Sequence, residues 1–243
     1  MTKINTTSTV ASGLLAAIAS SSATAGINAG DTLNMTLLSV APARAVLSTL
    51  DGGSTSMNVY GGVLNWDIDG VGGVKTFCVQ LNETISLGST LTYTAVDLEQ
   101  APDAPPGPGP MGDARATLIR DLYARNYATV MAATGNDAKN LAAAFAMVVW
   151  EITHQESTAS TASGVLADLD LTTGNAQFTS GSSANSLAAG MLGDLGGGTN
   201  DFLSFAVLGA TNPDKQDVLI VVPGPAGLLA IAGLGLVARR RRG

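Results

Sequence analysis

The sequence predicts an α+β fold: a β-rich half, sandwich or barrel, followed by a packed helical half, framed by an N-terminal signal peptide and a C-terminal membrane tail. Three observations carry this. Short runs of near-alternating apolar residues, broken by Asp-Gly turns, fill residues 31–100 of the 243-residue chain. Helical periodicity takes over after a Pro-rich stretch. Each end of the chain carries a short apolar segment of its own. Strands followed by helices, rather than alternating with them, indicate α+β rather than α/β.

The strand half reads as follows. Thr32–Val40 places Leu33, Met35, Leu37 and Leu38 among polar residues. Asp51-Gly52-Gly53 and Asp69-Gly70 are turn signals. Gly62–Ile68 and Val74–Gln80 flank the second turn as a hairpin, and Thr90–Ala95 is rich in β-branched and aromatic residues. Four prolines lie in Pro105–Pro110, removing donors and forcing extended backbone, so a loop is expected there.

Leu118, Ile119, Leu122, Tyr123, Tyr127, Val130 and Met131 then recur at helical spacing, with Arg115, Arg120, Asp121 and Arg125 on the other side. A second helix starts near Asn136 and Asp137, both good N-caps, and runs through Leu141–Trp150, apolar almost all round and therefore buried. Ser157–Ser163 reads as a polar loop. Ala184–Leu195 is a third helix, and Phe202–Leu208 and Val218–Val222 are closing strands.

Composition narrows the function. Apolar residues are 46% of the chain, enough for a core, and charged residues only 13%. Residues 26–222 carry seven bases against 19 acids, a net charge of −12, which argues against nucleic-acid binding. One Cys and one His exclude an intrachain disulfide and a multi-histidine metal centre.

The ends are addresses. Lys3, the apolar run Val10–Ile18 and Ala23-Thr24-Ala25 supply the three parts of a secretory signal peptide, with the mature chain expected to begin at Gly26. At the other end Ala226–Ala238 is apolar but only about 20 Å long as a helix, short of the ~30 Å bilayer core. Arg239, Arg240, Arg241 and Arg242 follow and should stay cytoplasmic. The expected division is a signal peptide over 1–25, an exported α+β domain over 26–215, and a C-terminal strand, motif, short transmembrane tail and Arg cluster over 216–243.

Val222-Pro223-Gly224-Pro225-Ala226-Gly227, the apolar stretch and the terminal Arg cluster together resemble the PEP-CTERM sorting signal. The usual Glu between the prolines is Gly224 here, which resembles a variant form of that signal. The resemblance implies an exosortase-type processing enzyme in a Gram-negative bacterium as partner. It also implies transient anchoring in the inner membrane, release to the cell surface or extracellular matrix, and an extracellular polysaccharide as a candidate partner.

Chemistry has few candidates. Cys78 lies on a strand between Phe77 and Val79, where burial would raise rather than lower its pKa. Phe77-Cys78-Val79, the helices after it and Val148-Val149-Trp150-Glu151-Ile152 resemble the thioester domains of bacterial surface proteins. In that family the Cys joins a Gln four residues before the Trp, and here that position is Ala146. The resemblance therefore implies the fold without the bond.

Asp67-Ile68-Asp69-Gly70 reads as a hairpin turn rather than a calcium loop. Glu151 and His154 read as a surface i,i+3 pair, and Trp66, Trp150 and Tyr60 are the aromatic residues that could stack on sugars. No catalytic, cofactor or metal residue is assigned. The expectation is a non-catalytic exported surface or matrix protein. The alternatives are a thioester-type covalent adhesin, which needs a Gln beside Cys78, and a secreted hydrolase, which needs a convergent acid/base or nucleophile set.

Overall fold

The computed structural model describes residues 26–103, 108–196 and 205–223. The residues at 1–25, which include Ala23 and Ala25, and those at 224–243, which include Gly224, Pro225, Ala226, Gly227 and Arg239–Arg242, lie outside that range. Among the described residues no helix is long and apolar enough to cross a membrane. The architecture is α+β.

Seven antiparallel strands form one sheet: β1 (Thr32–Leu50), β2 (Thr55–Ile68), β3 (Gly72–Cys78), β4 (Thr90–Asp97), β5 (Gln177–Thr179), β6 (Phe205–Asn212) and β7 (Lys215–Pro223). Their order is β2-β3-β7-β6-β4-β1-β5, and β1 also pairs with β2, so six strands close on themselves as a barrel. Closure removes the free edges that an open sheet would present. The Asp69–Val71 turn closes the β2–β3 hairpin, with Val71 N donating to Ile68 O at 2.9 Å and Gly70 at φ 76°. The hairpin turn expected there is the one observed. Trp66 and Tyr93, both fully buried, meet edge to face at 5.7 Å. Each polar tip is satisfied: Trp66 Nε1 donates to Thr76 Oγ1 at 2.9 Å and Tyr93 OH to Gln216 O at 3.0 Å.

β1 and β2 outrun the barrel. Their far halves pair from Ala43↔Gly62 to Leu50↔Thr55 as a two-stranded ribbon, widened at its end by β5. On this ribbon lies α2 (Gly135–His154), flanked by α1 (Gly112–Ala132) and α4 (Ala184–Gly193); α3 (Ala162–Asp168) packs on α1. Every residue of α2 from Ala142 to His154 is buried, as its unbroken apolar run predicts. The alanines allow close approach. A Cβ added to Gly61 would sit 3.3 Å from Ala143 Cα, so the glycine is what lets the ribbon lie directly on the helix. The two halves are joined by a ring cluster from β3, α1 and α2: Phe77 to Phe145 at 4.4 Å, Tyr123 to Phe145 at 4.9 Å and Phe77 to Tyr123 at 6.5 Å.

Several elements differ from expectation. β1 continues past Val40 through Pro42 to Leu50, because bulges between Leu37 and Ser39 and between Val40 and Ala43 absorb the proline. α3 occupies the end of the expected 157–163 loop, capped by Thr161, whose hydroxyl accepts from Gly164 N. Asp121, expected on the outer face of α1, is buried, accepts from Arg125 Nε and takes Gly196 N at 2.7 Å. The closing strand β7 lies between β3 and β6 and pairs with both, so the sheet runs through Val222 to Pro223, the first two residues of the C-terminal motif.

Candidate functional site

Cys78 ends β3 and sits where that strand runs along α2. Phe77 meets Phe145, and Thr153 Oγ1 lies 2.9 Å from Val79 O. The strand thus climbs α2 toward its C-terminus. Ala146, at the position where the thioester family carries Gln, is buried beside Phe145, one helical turn before Trp150. Its methyl group has no carbonyl with which to acylate a thiol.

The thiol itself is enclosed. Cys78 is 4% exposed and donates to the backbone carbonyl of Gln80. Burial pushes its pKa up to about 12. The Trp150 indole and the Gln80 backbone work against that rise, yet the indole N–H meets no acceptor at hydrogen-bonding geometry. Desolvation therefore decides the state of the sulfur, which is a neutral thiol at any physiological pH. The side chain of Gln80 points its amide at Glu83, and Gln216 Nε2 donates to the Gln80 backbone carbonyl at 2.9 Å.

Asp217, on β7 behind this thiol, is fully buried. Its two carboxylate oxygens accept from Asp103 N at 2.6 Å and Asn212 N at 2.7 Å. Burial nonetheless pushes its pKa up to about 7. It fastens the β6–β7 turn and the segment after β4 to the barrel.

At the C-terminal end of α2, Glu151 and His154 are buried, and they do not form the surface pair expected of them. Both lie on the packed side of a helix that is covered on several faces. Glu151 Oε1 accepts from Asp170 N at 2.8 Å, while burial raises its carboxyl to about 7. Burial, reinforced by the Arg115 charge, lowers His154 to about 4. Arg115 reaches over from α1 and donates to the carbonyl of Gln155 at 2.7 Å, satisfying a terminal carbonyl of α2. Gln155 ties the next loop down through Asp168 O and Ala176 N.

Among the described residues no group of three or more His, Cys, Asp or Glu side chains converges on a metal-sized point. Of the three aromatic residues that could stack on a sugar, Trp66 and Trp150 are core, whereas Tyr60 is 74% exposed. Gly26 opens the described chain with its carbonyl accepting from Asn28 Nδ2 at 2.9 Å.

No protein-family model matches the chain, and no curated protein matches it. Among solved structures, it is similar to the N-terminal domain of the Streptococcus pyogenes pilus tip adhesin Cpa. The match has 11% identity, spans 78% of this chain and 99% of that one, and has a TM-score of 0.38. At that TM-score and identity the likeness transfers neither a fold nor a role.

Proposed function

We propose that this chain is an exported, non-catalytic protein of the cell surface or extracellular matrix, delivered through its signal peptide. Its C-terminal motif is sorted by an exosortase-type membrane enzyme. One observation carries the non-catalytic part: the groups that a reaction would draw on are committed to holding the fold. Cys78 is tied to the Gln80 carbonyl, Glu151 to Asp170 N, and Asp217 to two backbone amides. All three side chains are buried away from any substrate, and burial also keeps the Cys78 sulfur a neutral thiol. The sorting part rests on the sequence at the two ends. The placement of Val222 and Pro223 at the end of β7 suits it, since the motif would then leave the sheet as it begins.

Cell fractionation with intact-mass analysis tests the proposal. The mature chain should begin at Gly26 or within a couple of residues of it. Replacing Arg239–Arg242 with Ser should weaken inner-membrane retention, because orientation of a short apolar segment rests on those charges. Replacing Pro223 and Pro225 should block trimming and leave a full-length membrane form. A mature protein that keeps residues 1–20, or variants trimmed and released like the wild type, would overturn it.

A further inference from the structure

The N-terminal end of α2 borders a cleft of about 360 Å³ whose lining includes Arg44, Tyr60, Lys139, Ser180 and Ser182. The fold builds it from three pieces. In the β1–β2 ribbon Arg44 pairs with Gly61 and Ala45 with Tyr60. Gly61 lets the ribbon press on α2, which sets the first turns of that helix beside Arg44. Arg44 Nη2 then donates to Asn136 Oδ1 at 3.2 Å. Asn136, a good N-cap by residue type, serves the arginine instead, and no side chain caps α2. The third piece is the loop after β5. Ser180 donates to Ala45 O at 3.1 Å, shares a hydrogen bond with Ser182 at 3.0 Å and is held by Asn185 through its own amide at 2.7 Å.

The charges in this cleft are uncompensated. Seven bases stand against 19 acids over residues 26–222, yet two of the seven meet here. Among the described residues neither Arg44 nor Lys139 has a carboxylate within salt-bridge reach, unlike Arg120 and Arg125. Arg44 Nε is buried and meets no acceptor, so contact with a ligand falls to the Nη groups of the guanidinium, of which Nη2 also holds Asn136. Two cations and two hydroxyls therefore adjoin an aromatic ring that is 74% exposed.

We infer that this cleft binds a uronic-acid residue of an acidic polysaccharide. A guanidinium and an ammonium suit one carboxylate, the guanidinium through its planar fork. The Tyr60 face suits the C–H side of a pyranose ring, and the serines suit its hydroxyls. The volume is at the small end for ligand sites and fits one or two sugar rings rather than a larger cofactor. The −12 net charge of the surrounding domain opposes any extended polyanion, so the cleft suits one acidic ring at a time rather than a long charged run. The inference deepens the matrix reading above and rests on it only for the presence of such a polymer outside the cell.

Calorimetric titration of the full-length chain in mild detergent provides the test, with digalacturonate, the neutral disaccharide galactobiose and the dipeptide Glu-Glu as probes. Digalacturonate should bind about tenfold or more tightly than either comparator, the margin expected of a lost charge-assisted contact. Lys139→Ser and Tyr60→Ala should each weaken it by about fivefold to tenfold, with the melting temperature unchanged. Equal binding of galactobiose would remove the carboxylate from the account, and equal binding of Glu-Glu would point to acidic peptide. Unchanged affinity in both variants, or no binding of digalacturonate at about 10 mM, near the weak limit of specific recognition, would also overturn it. A protein found outside the cell that ignores digalacturonate would refute the cleft and leave the surface reading standing. A protein retained in the cytoplasm would refute the surface reading whatever the cleft binds.

Discussion

The two ends of α2 look alike in neither sequence nor surroundings. The C-terminal end carries Trp150, Glu151 and His154 beside Cys78, the residue types from which active sites are made, and it is sealed. The N-terminal end carries Asn136 and Lys139 beside Arg44 and Tyr60, residue types common on any surface, and it is open. The difference teaches that residue chemistry is read through its partners. At the sealed end Glu151 and Thr153 bond to the backbone of neighbouring segments and act as struts, and Cys78 is tied to the Gln80 carbonyl. At the open end the cations have no carboxylate among the described residues, so their capacity remains for something else.

Breaking the sealed end should cost the most. Trp150 is almost fully buried and its ring packs 5.9 Å from Phe178. Trp150→Ala should lower unfolding free energy by about 3–5 kcal/mol, the usual range for a large buried aromatic. Urea denaturation that shifted by less than about 0.5 kcal/mol, as for a surface site, would show that this end is not core. Thr153→Val is a finer probe. It keeps the shape and removes the hydroxyl that links α2 to Val79 O. Leaving that buried carbonyl unsatisfied should cost about 1–2 kcal/mol.

The sealed end should also respond to pH. Burial raises Glu151 and Asp217 to about 7, so the folded chain holds protons that the unfolded chain has already released. The stability linked to them is present at lower pH and is lost as pH rises through about 7. His154 works in the opposite sense: lowered to about 4, it costs stability as pH falls below about 6.5, where the unfolded imidazole gains its proton. From about pH 5 to 7 the two carboxyls outweigh the one imidazole, so the melting temperature should decline across that range and level off above it. Glu151→Gln keeps an acceptor for Asp170 N and should flatten that decline. A slope identical to the wild type would place Glu151 in contact with water. At the open end Lys139→Ser should change stability by no more than about 0.5 kcal/mol; a larger loss would make Lys139 a structural residue.

Much of the fold was legible because it follows from local rules. The β2–β3 hairpin announces itself through Asp69-Gly70, and α2 through an apolar run too long for a strand. The closure of the barrel was not legible, since it depends on β1 pairing with β2, β4 and β5 at once, and no local pattern encodes a third partner. The burial of Cys78 could be read from Phe77 and Val79. The burial of Glu151 and His154 could not, because their partners Asp170 and Arg115 lie on other elements, 19 and 39 positions away in the chain. The cleft at Arg44 was hidden for the same reason: its cations are 95 positions apart, and only the packing of the ribbon on α2 through Gly61 brings them together. Of its residues, Tyr60 alone carried a signal, as one of three aromatic residues able to stack on a sugar.

The most direct test of the sealed end is the reaction of Cys78 with an alkylating reagent, followed by intact mass before and after denaturation. A buried thiol tied to the Gln80 carbonyl should alkylate slowly in the native protein and rapidly once unfolded. The starting mass should match the sequence with no loss of ammonia, and methylamine should add nothing. An ammonia-deficient mass that methylamine converts to an adduct would contradict the account. It would mean that a glutamine, Gln80 first among them, had acylated the thiol and that this end of α2 performs chemistry after all.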